Sequence, residues 1–200
     1  MQFESNNIYH IYNRGNNSQI LFFNRENYLF FLQKAKIYIT PYADILAWCL
    51  MPNHFHFMFY VNCVEIEISE KVTESHHLTR ARSLNDSISI FLRSYTRAIQ
   101  KQEKLTGSLF QHRTKSVCLT DVTGYSPAWF QAKYGTIINI SDPEKEYPQV
   151  CFNYIHQNPV KARLVKNPED WEFSSYPDYC RLRNGKLINR ERTIEFGLKI

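Results

Sequence analysis

His54-Phe55-His56 is the part of this chain whose residue types and spacing best suit metal chemistry. In a strand, residues i and i+2 project from one face, so both imidazoles would point together while Phe55 faces packing on the other side. Two nitrogens so placed can bind one cation. Two unrelated polar side chains on a strand face would leave the same trace. The setting argues against that, because the pair follows the Pro52-Asn53 turn inside a very apolar hairpin, where imidazoles without a partner are costly to desolvate. A metal site needs a third ligand, and phosphoryl transfer needs a nucleophile. Tyr154 and Asn158, at i and i+4 of a helix, share one face and could set a phenol oxygen beside a metal-bound phosphate while the amide oxygen reaches the metal. The plainer alternatives are a core aromatic for Tyr154 and a cap at an Asn-Pro junction for Asn158.

Tyr95 is the rival nucleophile, within Ser94-Tyr95-Thr96-Arg97, but its i+4 partner is Ile99, which cannot bind metal. It also shares an apolar stripe with Phe91 and Leu92, which points to the core. His76-His77 are sequence neighbours that do not aim at one point, and their polar loop suggests solvation. His10, His112 and His156 have no partner assignable from spacing.

The elements that must carry these residues follow from periodicity. Residues 7–13 alternate as a strand and end at Arg14-Gly15-Asn16-Asn17, whose residue types favour a turn. A first helix begins after the N-cap candidate Asn24 and stops at Thr40-Pro41. Residues 43–50 and 54–61 form an apolar, aromatic-rich hairpin in the middle of the sheet. After an acidic loop, residues 84–104 form an amphipathic helix with a basic face, ended by Gly107, and 108–119 form a strand. The order β-α-β-β-α-β describes an α+β, ferredoxin-like split βαβ sheet with both helices on one face. Residues 121–145, with Gly124, Pro127, Gly135 and Pro143, are an insertion within a single 1–200 domain. A third helix over 147–158 accepts Pro148 in its first turn and ends at Asn158-Pro159. The tail over 160–200 is basic, with nine Lys/Arg to six Asp/Glu, and anchors itself through Trp171, Phe173 and Tyr176.

A length of 200 residues allows one compact domain, and a 44% hydrophobic content supports a core and excludes a disordered or fibrous chain. The longest apolar run, Ala43 to Met51, contains Asp44 and is too short to span a bilayer, which needs ~20 residues. No signal-peptide pattern opens the chain, so a cytosolic location is expected, with no membrane partner. Five Cys without paired spacing read as reduced thiols. The net charge is +5, and residues 80–116 hold eight Lys/Arg against Asp86 and Glu103, whereas Glu65, Glu67, Glu70 and Glu74 oppose Lys71 just before them. That basic stretch is a candidate nucleic-acid face, with Arg93, Arg97, Lys101, Arg113 and Lys115 on it and Arg14 at the first turn.

Four segments, YHIYNRG (9–15), CLMPNHFHFMF (49–59), GSLFQHRTKS (107–116) and YIHQNPVKARLV (154–165), occur in that order. Together they resemble the single-tyrosine HUH transposases, and among them the REP-associated tyrosine transposases. The resemblance covers most of 7–120 and 147–180. It implies that His54 and His56 are metal ligands, that Tyr154 is the nucleophile on a later helix, and that Asn158 is the amide that completes metal binding. It also implies a divalent cation, Mg²⁺ or Mn²⁺, of which the borderline imidazole donors suit Mn²⁺. The implied activity is DNA transposition: cleavage and strand transfer of single-stranded DNA beside an imperfect hairpin, through a 5′-phosphotyrosine link and a free 3′-hydroxyl. A phenol has an unperturbed pKa of ~10, so its nucleophilicity would have to come from nearby positive charge or a base. A catalytically silent single-stranded DNA- or RNA-binding protein and a structural zinc protein are the competing classes, and both a homodimer and a monomer are compatible with these motifs.

Overall fold

The computed structural model describes residues 1–71, 77–120, 130–131, 137–138 and 143–200. A mixed α+β chain folds around one four-stranded antiparallel sheet in the order β2-β3-β1-β6. Its strands are β1 (Ile8–Arg14), β2 (Ala43–Met51), β3 (His54–Val61) and β6 (Lys115–Cys118). The connections are α1 (Arg25–Ile39) between β1 and β2, and α2 (Leu84–Glu103) between β3 and β6. A second antiparallel pair, β4 (Glu65–Lys71) and β5 (His77–Ser83), stands before α2. The stretch expected to be an acidic loop is therefore largely a hairpin. Its Glu65-Ile66-Glu67-Ile68 alternates with the period of a strand, Ile66 packs against the core, and Arg82 and Arg80 of β5 lie opposite Ile66 and Ile68. His77 opens β5, and His76 lies outside the described residues.

Helix α1 starts as the sequence suggests. The Asn24 side chain accepts from the Asn27 amide, and Asn27 returns the bond to the Asn24 backbone, a reciprocal cap that satisfies two end donors. Ser83 caps α2 singly, its hydroxyl accepting from the Asp86 amide and donating to the Asp86 carboxylate. Phe31 of α1 and Phe91 and Tyr95 of α2 meet Phe55 and Phe57 of β3 in one buried cluster. Odd-numbered residues of β3 thus face the α1/α2 layer, and even-numbered ones face the opposite side. In β2 a bulge at Leu46 reverses that parity, so Ile45 and Trp48 both face the α1/α2 layer while Ala47, Cys49 and Met51 face away.

The opposite face is covered by α3 (Pro143–Lys161), whose Cys151, Phe152 and Ile155 pack on Leu46, Cys49 and Met58. The expected helix over 147–158 is longer at both ends. Pro159 does not stop it, and the helix closes at Arg163, whose φ of 58° is left-handed. Of the expected insertion 121–145, the described residues are the two-residue strands β7 (Phe130–Gln131) and β8 (Ile137–Ile138) and the start of α3; the rest lies outside them. Where a strand was expected over 108–119, Leu109 and Phe110 are buried beside an isolated Gly15–Phe110 bridge, and pairing with β1 begins at Lys115.

Residues 171–175 run along the outer edge of β2. The Leu50 amide donates to the Phe173 carbonyl at 2.8 Å, Trp171 Nε1 donates to the Leu50 carbonyl at 3.1 Å, and the Ser175 amide donates to the Trp48 carbonyl at 2.9 Å. This segment covers an edge that would otherwise offer unpaired backbone groups. Next in the chain come α4 (Tyr176–Tyr179) and α5 (Arg190–Glu195). The Tyr179 hydroxyl donates to the carbonyl of the bulged Leu46. Ser175 Oγ lies 2.9 Å from the Trp48 amide and 2.8 Å from His156 Nε2, so one hydroxyl joins the edge segment, β2 and α3.

Ser175→Ala is expected to destabilise the fold by about 1–3 kcal/mol, because it leaves the Trp48 amide and the His156 ring without that buried partner. Urea unfolding of the two proteins measures the difference, and equal midpoints would remove Ser175 from this role.

Candidate active site

Even parity on β3 puts His54 and His56 on the face that α3 covers, with Tyr154 of α3 beside them. The His54 and His56 ring centroids are 5.1 Å apart, and the Tyr154 ring lies 5.5 Å from that of His56, edge-on. The turn before His54 is held from outside. The Pro52 carbonyl accepts from the Leu21 and Phe22 amides, and the Asn53 carbonyl accepts from the Gly15 amide at 2.8 Å. Gly15 has no room for a side chain, since a Cβ there would stand 2.0 Å from the Gln19 carbonyl oxygen.

The nitrogens of the two histidines are not equivalent. His54 Nδ1 is 2.7 Å from Asn53 Oδ1, an acceptor, so this nitrogen carries the proton and Nε2 keeps the lone pair. His56 is 4% exposed, and its Nδ1 lies 2.9 Å from Nε2 of His10. Its Nε2 is buried with no hydrogen-bond partner. A buried polar atom left in that state is uncommon, and Trp48 Nε1 and His156 Nδ1 share it, but only His56 Nε2 lies beside a second histidine and a tyrosine ring. Burial, together with the neighbouring Arg14 charge, pushes the His54 imidazole down to about 4. Burial alone pushes His10 down to about 3, and His56 is held well below its ordinary value by burial and then by the two flanking imidazoles. All three rings are neutral around pH 7, the state in which imidazole can act as a ligand.

Tyr154, Asn158 and Lys161 follow one another along one side of α3. Tyr154 is half-buried, and Asn158 is 8% exposed. Asn158 Nδ2 donates to the Tyr154 carbonyl at 2.8 Å, which engages the amide nitrogen and leaves Oδ1 as the atom able to accept or ligate. Lys161 Nζ stands 5.3 Å from the centre of the Tyr154 ring. Two further cations border the same face. Arg14 is directly opposite His54 in the β1–β3 register, and Lys115 is opposite Tyr12 with its Nζ 5.8 Å from that ring.

Of the residues singled out in the sequence, the structure brings together His54, His56 and Tyr154, with Arg14 opposite His54, Lys115 beside Tyr12, and Asn158 one turn beyond Tyr154 and bonded to its carbonyl. Arg93, Arg97 and Lys101 are exposed on α2, in the layer on the other side of the sheet, and Arg113 is exposed two residues before β6. Tyr95 is fully buried in that same layer and donates its hydroxyl to the Leu21 carbonyl at 2.7 Å. Among the described residues, no three His, Cys, Asp or Glu side chains form a metal-holding group. A cation here would rest on the two Nε2 atoms and an amide oxygen. Spacing did not reveal His10 and Lys161. His10 shares the even parity of Tyr12 on β1, but only the strand register places it diagonally from His56. Lys161 lies seven residues after Tyr154, on a turn of α3 that the Asn-Pro pair was expected to end.

No protein-family model matches the chain, and no curated protein matches it. Among solved structures, a REP-associated tyrosine transposase bound to a REP hairpin matches over 100% of this chain and 86% of its own, with a TM-score of 0.56 and 14% identity. That degree of likeness establishes a shared fold. Among the described residues no helix is long and apolar enough to cross a membrane.

Burial of the imidazoles carries a pH signature. His10, His54 and His156 have folded-state values of about 3 to 4, below the ordinary value of 6.5, with His56 displaced in the same direction. Between these limits the unfolded chain binds more protons than the folded one, so their contribution to stability is complete above about pH 6.5 and is lost as the pH falls toward about 4. The urea midpoint in EDTA is expected to drop steadily from about pH 7 to about pH 4.5, and a flat profile would contradict the buried, neutral rings.

Proposed function

We propose that this chain is a metal-dependent single-strand DNA endonuclease and strand transferase of the single-tyrosine HUH type, built on a ferredoxin-like sheet, with Tyr154 as nucleophile. The observation that carries the reading is the buried, unpartnered Nε2 of His56 beside His54 and the Tyr154 ring, in the cleft where α3 meets β3. As it stands this is a buried polar cluster between the two elements, which would have to admit a substrate. That orphaned nitrogen fits a cation, which Nε2 of His54, Nε2 of His56 and Oδ1 of Asn158 would hold. Bound there, Mg²⁺ or Mn²⁺ supplies Lewis-acid polarisation of the scissile phosphate.

The chain's own residues do the rest. Tyr154 Oη forms a bond to phosphorus as the bond from phosphorus to the 3′ oxygen breaks. The phenol proton passes to solvent, and the leaving oxygen takes a proton to become a free 3′-hydroxyl. The product is a 5′-phosphotyrosine, and attack on it by a 3′-hydroxyl rejoins strands and returns the phenol without a high-energy cofactor. Lys161, Lys115 and Arg14 supply positive charge around the phosphate, and Tyr12 offers a half-exposed ring on which a base can stack. The fold shared with a transposase seen on a REP hairpin supports hairpin DNA with a single-stranded flank as the substrate. Arg93, Arg97, Lys101 and Arg113 would engage more distant phosphates, and binding would weaken steeply with salt.

Incubation of end-labelled hairpin oligonucleotides with Mn²⁺ or EDTA tests the reading. A metal-dependent covalent adduct on the fragment 3′ of the cut is expected for the parent protein and for Tyr95→Phe, provided the latter remains folded, and none for Tyr154→Phe. His56→Ala is expected to lower cleavage by about 100-fold or more, through loss of a ligand. An adduct that survives Tyr154→Phe would overturn the nucleophile, and binding by the parent without any adduct would leave a silent DNA-binding protein.

A further inference from the structure

His10 is buried at 8% exposure in the centre of the sheet, on the face that carries the two histidines and Tyr154. Its ring is stacked on Tyr12, with centroids 4.8 Å apart, and meets the Tyr154 ring edge-on at 6.3 Å. Its Nε2 is 2.9 Å from Nδ1 of His56. Two neutral imidazoles can share such a bond in only two ways, since one nitrogen must donate and the other accept. If His10 donated, His56 would carry its proton on Nε2 and present a buried N–H, a form that cannot ligate a cation. If His56 donates from Nδ1, its Nε2 holds a lone pair, the form a ligand must take. A histidine ligand generally gives its other ring N–H to an acceptor that fixes tautomer and orientation. Asn53 Oδ1 does this for His54 at 2.7 Å.

We propose that His10 is the positioning residue for His56: its Nε2 accepts the His56 Nδ1 proton and thereby holds the His56 Nε2 lone pair toward the cleft. The inference rests on the proposed function for its purpose, the presentation of a ligand, although the tautomer itself is a property of the metal-free protein. His10 touches neither metal nor phosphate in this arrangement. A carboxylate is the more usual partner for a ligating imidazole. A neutral acceptor leaves the charge of the bound cation uncompensated at this position and therefore available to a phosphate.

Two readouts on purified full-length protein test this. The first is the protonation pattern of the His56 ring nitrogens, by heteronuclear NMR on the metal-free protein near pH 7. The second is Mn²⁺ affinity without DNA, by electron paramagnetic resonance of the free ion. The parent is expected to carry the His56 proton on Nδ1. His10→Phe keeps a ring in the stack but removes the acceptor, and is expected to mix the His56 tautomers and weaken Mn²⁺ binding by about 10–100-fold. His10→Gln, whose terminal oxygen can replace the Nε2 acceptor, is expected to restore affinity to within a few-fold of the parent, where a purely steric role would leave it impaired. Nε2 protonation of His56 in the parent, or unchanged tautomer and Mn²⁺ affinity in a folded His10→Phe, would overturn the proposal. Should His10→Phe fail to fold, the parent spectrum and His10→Gln decide. If the parent binds no Mn²⁺, the metal reading of the site fails, and the His56 tautomer still decides the role of His10.

Discussion

The antiparallel register of β1 on β3 sets Tyr12 opposite His56 and Arg14 opposite His54, and the rest of the site depends on that alignment. Side chains alternate with a period of two, so a slip of one residue would turn His10, Tyr12 and Arg14 into the α1/α2 layer and bring Ile11 and Asn13 to the cleft. The hydrophobic pattern opposes such a slip. Ile11 is fully buried against the helices with Phe55 and Phe57, and moving it to the cleft would exchange a filled core position for a polar one. The Gly15 turn adds a second restraint, because its close contact with Gln19 and its bond to the Asn53 carbonyl tie the end of β1 to the turn that begins β3. Packing on one face of the sheet therefore determines which polar groups meet on the other.

Register alone leaves this face of the sheet uncovered, and α3 covers it. The helix is held by an apolar patch, Cys151, Phe152 and Ile155, and by the bond from His156 to Ser175 Oγ. Ser175 belongs to the segment that covers the edge of β2, so the angle at which Tyr154 meets His56 is tied to the chain's C-terminal tail. Tyr28 of α1 stacks on Phe173 of the same segment with centroids 3.8 Å apart, which links the two layers around the sheet edge. The Leu46 bulge contributes as well, since it turns Cys49 and Met51 toward α3 while Trp48 and Leu50 remain with the helices on the far side.

How much of this could be seen in the sequence follows from the range of each interaction. Alternation around His54-Phe55-His56 and the one-turn spacing of Tyr154 and Asn158 are local, and the structure sets the His54, His56 and Tyr154 rings beside one another. The cap at Asn24 and the stop near Pro41 are local too. Register is not local, and His10 therefore stayed without a partner although it lies beside His56. The segment before α2 looked like a solvated acidic loop because charge hid its period-two pattern, and pairing with Arg80 and Arg82 makes a strand of it. Basic residues misled in a different way. A run of positive charge in sequence suggests one face, but Arg93, Arg97 and Lys101 lie on a helix on one side of the sheet, whereas Lys115 lies on an edge strand beside the cleft on the other. Pro159 was a weak stop signal, since a helix closely packed through Phe152 and Ile155 tolerates one missing donor near its last turn.

Polar groups at the centre of this sheet are held against the tendency of the fold. A leucine or valine at position 56 would remove the buried Nε2 that has no partner, but it would also take from the buried His10 Nε2 its hydrogen-bond partner, so the two imidazoles stand or fall as a pair. Apolar packing dominates the α1/α2 face, where Phe31, Phe55, Phe57 and Phe91 interlock, whereas buried imidazoles gather on the α3 face. The two faces share the same backbone, so the apolar face supplies the rigidity that the polar face lacks. It can keep three imidazoles and a phenol in fixed relation without flexible loops. Where a sheet obeys packing rules on one side and departs from them on the other, the departures cluster where binding or chemistry is to be expected. Here they cluster on His10, His56 and the helix turn that carries Tyr154.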